Sequence, residues 1–335
     1  MEYQEVVQAA LDNIDAHLTC GIGLDELAGS VGYSTYHFCR IFAELTGMPV
    51  MGYVTRRRME HAMYELARGR RIIDVALEHG FDSHAGFTRA FKRCFGFAPS
   101  LCHLRITPLE LKRITPQGVK RRYAYMDTMQ PHLTELTPFT VVGRTMKIKA
   151  SDVRRHADIP ALCYSREFER SGDDLLEGVL ECLPKSDAMK HCEISMCYDF
   201  DPDEGSFTYM LGRGAFCQDE LAKLPSDLTR VEISGLYAAF STPLVPFEQH
   251  DRYAQTIRDT WNAILTQWLP ASEFEYDDAR RDFEYYDYRD HGRYFGNRCQ
   301  MDIYIPVRQR EDARRSSEER GRILWEQEMK RREDL

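Results

Sequence analysis

Residues 80–99 read GFDSHAGFTRAFKRCFGFAP, a run that fits one small unit: a stop, a cap and an amphipathic helix. Gly80 ends a helix that begins near Ile72, because glycine adopts the left-handed backbone at little cost. Ser83 is placed to cap the next helix, its hydroxyl accepting from a first-turn backbone N–H. Phe87, Ala90, Phe91 and Phe95 then recur at helical spacing and form an inward stripe. Thr88, Arg89, Lys92 and Arg93 are left to project, and no acid lies between His84 and Gly96.

The same unit occurs once before. Leu27-Ala28, Gly32 and Tyr33 return 48 residues later as Val75-Ala76, Gly80 and Phe81. Ser34, Phe38, Arg40, Phe42 and Gly47 return 49 residues later as Ser83, Phe87, Arg89, Phe91 and Gly96. About ten matches in order imply duplication of one structural unit. In the first copy Leu24 to Val31 reads as a helix with Asp25 and Glu26 in its first turn, where the dipole favours acids. Gly32 stops it and Ser34 caps Thr35 to Thr46, whose buried stripe is Phe38, Ile41, Phe42 and Leu45. Tyr36, His37, Arg40 and Glu44 lie off that stripe. Between the copies Tyr53 to Leu66 reads as one long helix, a rigid spacer that would present both units to successive major grooves ~34 Å apart.

Helix, tight turn and helix, with basic residues exposed on the second, suits the DNA major groove. There an arginine binds guanine O6 and N7 bidentately, while neighbouring lysines and threonines reach phosphates and set register. The charge distribution agrees. The chain is net −9, yet residues 1–122 carry 16 Lys+Arg against 13 Asp+Glu, leaving an acidic remainder. At 335 residues two domains are expected. No apolar run approaches the ~18 residues of a membrane span, and the first residues lack a signal peptide's pattern, so a cytoplasmic address is expected with no membrane partner. Ten cysteines are scattered without a CxxC pair, as for reduced thiols; no metal, cofactor or catalytic grouping is expected.

The run 80–99 closely resembles the signature of AraC-type transcriptional regulators, and the resemblance extends over roughly residues 4–108. It implies a seven-helix domain with base readers at Tyr36, His37 and Arg40, and at His84, Ala85 and Arg89. The second reader departs from the family by being small at Ala85 and Gly86, so reading there would rest on His84 and Arg89. Double-stranded DNA and RNA polymerase are the macromolecular partners expected.

From Thr107 to Pro131 the pattern weakens into a linker. Beyond it the chain reads as α+β. Strands are expected at Thr140–Met146, Glu193–Phe200, Ser206–Gly212 across the turn Asp201–Gly205, and Thr229–Phe240, with short ones near Phe283 and Ile303. Helices are expected at Pro160–Phe168 and Tyr253–Trp268, the latter with Ile257, Trp261, Ile264, Leu265 and Trp268 on one stripe. Trp261 and Trp268 read as core. This order, with Gly235-Leu-Tyr-Ala-Ala-Phe, Trp268-Leu-Pro, Asp282-Phe-Glu-Tyr-Tyr and Asp302-Ile-Tyr-Ile-Pro-Val, resembles the GyrI-like small-molecule-binding domain over about 135–308. The resemblance implies a curved antiparallel sheet, helices on one outer face, and an acidic residue in a central cleft, in the manner of multidrug sensors.

Strand periodicity extends that expectation. If Phe283 and Tyr285 pack against the helices, Glu284 and Tyr286 point to the cleft. If Ile303 and Ile305 pack outward likewise, Asp302 and Tyr304 join them there. Two carboxylates among tyrosines suit a small cationic or lipophilic effector. The expected architecture is therefore multidomain: an all-α double helix-turn-helix domain (1–108), a linker (109–131), an α+β GyrI-like effector domain (132–308) and a charged tail (309–335). Two alternatives stand beside an effector-responsive regulator: a GyrI-like hydrolase of a reactive small molecule, and a second domain that only docks a protein partner.

Overall fold

The computed structural model describes residues 3–19, 21–107, 114–117, 130–150, 192–215, 218–290 and 295–311. The expected helix at 160–168, most of the linker and nearly all of the charged tail lie outside the described residues.

Among the described residues seven helices build the first domain, the number the resemblance implies: α1 (Tyr3–Ala16), α2 (Leu24–Ser30), α3 (Thr35–Thr46), α4 (Val50–Ala67), α5 (Ile72–Glu78), α6 (His84–Phe95) and α7 (Leu101–Arg105). The turns form as the sequence dictates. Gly80 sits at φ +79° between α5 and α6. Ser34 accepts from the His37 N–H at 3.4 Å and Ser83 from the Gly86 N–H at 3.1 Å. Residue Arg57, unremarked in the sequence, ties α4 to α1: its buried guanidinium meets Asp15 at 2.7 and 2.9 Å and Glu60 at 3.0 Å.

The two units differ in what they pack against. The first closes its own core from Val6, Leu11, Ile14, Phe38, Phe42 and Tyr53. The core of the second (Leu66, Val75, Phe87, Phe91 and Phe95) continues unbroken into Trp261, Leu265, Ile303 and Ile305 of the other domain. Gly96 shows how close the approach is. At φ +83° it ends α6, and its carbonyl accepts from the Tyr276 N–H at 2.8 Å. A Cβ there would lie 2.9 Å from an Arg310 nitrogen and 3.3 Å from Leu269, so glycine suits the left-handed turn and spares those side chains a shift.

The second domain is an antiparallel sheet of β1 (His132–Lys149), β2 (Glu193–Asp201), β3 (Ser206–Ala215), β4 (Thr229–Ser241), β6 (Phe274–Tyr276), β7 (Phe283–Tyr286) and β9 (Asp302–Gln309). A separate two-stranded piece pairs β5 (Val245–Pro246) with β8 (Arg298–Cys299). The order is β4-β1-β3-β2-β7-β9-β6, and β4 also pairs with β9, so six strands close into a ring. Each of the six sends side chains inward: Val141, Met196, Met210, Tyr237, Phe283 and Tyr304 meet there. Strand β1 is far longer than expected because it continues through a bulge between Leu136 and Phe139, where Pro138 lacks the N–H a ladder needs.

Helices α8 (Gln218–Lys223) and α9 (His250–Ala263) and a single turn α10 (Leu269–Ala271) complete the described part. The stripe expected through Trp268 does continue, but by a wider turn: after Ala263 the chain runs as a π segment, Ile264–Trp268, with the Leu269 N–H bonding Ile264 five residues back. Pro270 follows, with no N–H to give to the preceding turn. α9 buries Ile257 and Trp261 against the outer face of the ring.

Candidate DNA-reading face and effector site

Arg40 and Arg89 stand at matching places, each six residues after its capping serine, and both are exposed. Tyr36 is 81% exposed. His37 is half-buried, its ring stacked on Tyr33 at 5.2 Å. In the second unit His84, Ala85 and Arg93 are exposed; Thr88 is half-buried, its hydroxyl shielded. Lys92 differs from its neighbours. It is half-buried and forms an ion pair with Asp278, on the turn that leads into β7.

Two outcomes follow for DNA binding. Arg89→Ala is expected to cost ~1–3 kcal/mol of specific affinity and to relax preference at one base position; gel-shift titration against a selected site measures it. Asp278→Asn should release Lys92 to a phosphate and steepen the slope of log K against log salt by about 0.9. A slope unchanged from the parent would leave Lys92 out of the DNA interface.

The acids expected in the cleft do not share one face. In the register of β7 with β9, Phe283 lies opposite Tyr304, Glu284 opposite Ile303, and Tyr285 opposite Asp302. Directly opposed residues point to the same side. Asp302 and Tyr304 therefore accompany Phe283 and Tyr285 inside the ring, with the Tyr304 ring stacked on Phe283 at 4.7 Å. Asp302 is held by Arg289 at 2.6 Å and by the Ser241 hydroxyl at 2.6 Å. Glu284 and Tyr286 face the opposite way, onto α9 and the first domain. The expectation had β7 reversed. Alternation states which residues pair off, not which side is inward, and both sides of this strand carry aromatics.

On that outer face a buried acid site is assembled. Glu284 Oε1 accepts from Trp261 Nε1 at 2.7 Å and Arg105 Nη1 at 3.2 Å. Its Oε2 accepts from Ser195 Oγ at 2.9 Å and the Tyr286 hydroxyl at 2.8 Å. Asp282, two residues earlier and on the same side, accepts from Arg105 Nη2 at 2.5 Å and the Tyr276 hydroxyl at 2.7 Å. The Arg105 guanidinium lies over the Trp261 ring, 4.3 Å from its centroid. Burial opposes its charge, but the carboxylates, Asp282 foremost, more than offset this and hold its pKa above the usual value. Burial, reinforced by the neighbouring acids, also pushes the Tyr276 and Tyr286 phenols well up, keeping them protonated as donors.

Among these, Asp282, Ser195, Tyr276 and Arg105 were not singled out from the sequence. Asp282 had a signal, the two-residue spacing to Glu284. Arg105 had none, since it arrives from 177 residues away. Trp261 is core as expected and also a donor to the site. Elsewhere, donor atoms of His61, Glu65 and His79 come within 4.8 Å of one another, an arrangement able to take a metal ion. A hydrogen bond between His79 Nε2 and Glu65 at 3.2 Å accounts for it without one, burial lowering the His79 pKa.

Comparison with known families supports both halves. A helix-turn-helix domain model matches residues 27–102. The model of the integron-associated effector binding proteins matches 132–307, more than half of the chain. The transcriptional activator AarP of Providencia stuartii is 37% identical over 103 residues, 30% of this chain and 76% of its own length. The chain belongs to the AraC-type transcriptional regulators and carries a GyrI-like effector-binding domain. SoxS of Salmonella typhimurium is 33% identical over 101 residues, covering 94% of that protein. The right origin-binding protein of Escherichia coli is 35% identical over 102 residues, a match that spans about a third of its length. No helix among the described residues is long and apolar enough to cross a membrane.

Proposed function

We propose that this AraC-type regulator reads double-stranded DNA through α3 and α6, with Arg40 and Arg89 at base edges. Its second domain then senses a small organic cation at Asp282 and Glu284 and alters what the DNA-bound chain does to RNA polymerase. One observation carries the effector reading: two buried carboxylates, walled by Trp261, Tyr276 and Tyr286, already enclose a cationic group. Among the described residues their other donors are neutral hydroxyls and an indole, which leaves two carboxylates to one cation. Buried charge without a partner is costly, which favours cationic occupants.

A catalytic role fits less well. Glu284 accepts four hydrogen bonds, so no lone pair remains to take a proton from water. The test is calorimetric titration of the full chain with tetraphenylphosphonium and with benzamidinium. Saturable binding of at least one, without turnover, is expected, and Glu284→Gln should weaken it. Absence of binding by both would leave a second domain that only docks protein.

A further inference from the structure

The cationic-effector reading underlies a second inference, about what fills the site and how it is emptied. We propose that Arg105 is an internal stand-in for the effector. A planar, delocalised cation with N–H donors on its edge, an amidinium or guanidinium, takes its place and thereby undocks α7 and α6 from the second domain.

The second domain builds the site alone: Ser195, Trp261, Tyr276, Asp282, Glu284 and Tyr286 all belong to it. Only the cation comes from elsewhere, from the last residue of α7. The guanidinium uses the site as a ligand would, with its face on an indole and its edge on two carboxylates. Those two demands, flatness and N–H donors, are met by amidinium and guanidinium groups and not by a tetrahedral onium ion. The fit is also incomplete. Arg105 Nε is buried with no partner among the described residues, and the contact to Glu284 is long at 3.2 Å. A free ligand placed without a tether can satisfy all its donors.

Displacement has a path to the DNA-reading helix. The turn from Asp277 to Asp282 carries Asp282, which holds Arg105, and Asp278, which holds Lys92 of α6. The Thr107 N–H bonds Asn262 of α9 at 3.2 Å, just after Arg105. When Arg105 leaves, these neighbouring contacts lose the anchor between them. By linkage, a ligand that binds only the undocked state shifts the chain toward it.

The experiment compares benzamidinium binding to the full chain and to Arg105→Met. Loss of a tethered competitor, whose effective concentration is of millimolar order, should tighten binding about ten-fold or more. Equal affinity in both proteins overturns the displacement while leaving the cation site standing; binding to neither overturns both. Because Arg105→Met leaves two buried acids unpaired, the unmodified chain supplies an independent readout. Saturating benzamidinium should speed hydrogen exchange of amides in 101–107, and exchange that stays unchanged with ligand bound overturns the proposal. Tetraphenylphosphonium serves as control: if it displaces α7 as well as benzamidinium does, the demand for N–H donors is wrong.

Discussion

Arg105→Met should destabilise the folded chain by about 3–5 kcal/mol, the usual consequence of removing one partner from a buried ion pair. The reason is specific to this site. Arg105 is almost fully shielded and is, among the described residues, the single cation bound to Asp282 and Glu284. Removing it strands two carboxylates that burial beneath α9 largely shields from solvent, Asp282 being 2% and Glu284 8% exposed. Urea denaturation followed by tryptophan fluorescence measures the loss, since Trp261 lies against the guanidinium. Asp282→Asn in the same chain should recover part of it by lowering the buried charge. A variant as stable as the parent would mean that the site is wet and that Arg105 contributes little.

Phe91→Ala should cost ~3–5 kcal/mol, the range for truncating a fully buried aromatic. Its ring packs against Phe87, Phe95 and Phe97, inside the core that runs on into Trp261 and Leu265. The tryptophan signal of the second domain should therefore move with a substitution in the first. Phe42→Ala makes the contrast. Phe42 lies in the separate core of the first unit, so it should loosen that unit and leave the tryptophan transition nearly unmoved. Two transitions that shift together in both variants would contradict this division of the core.

Much of the DNA-binding half was legible in the sequence because its signals are local and occur twice. A serine three residues before an orphan N–H, a glycine at positive φ and a period of 3.6 each act within a few residues. The ring of strands was legible in outline for the same reason: Ser206 follows Asp201 across a turn, and both strands alternate. What the sequence withheld is long-range. The side on which Glu284 lies depends on the register of β7 against β9, set by segments some twenty residues apart. Apolar residues on both sides of that strand left the alternation without a direction. The hidden partner of the acid site, Arg105, sits in a stretch whose own pattern describes only the end of a small helix. Equally hidden was that the two domains share a core, which continues across the boundary near residue 108.

Two buried acids and an indole hold Arg105 at the site where we propose that a flat cation binds. A crystal structure of the full chain grown with benzamidinium tests this most directly. The amidinium should lie over Trp261 between Asp282 and Glu284, with Arg105 withdrawn. Arg105 still in place, with the cation inside the ring beside Asp302 and Tyr304, would contradict it.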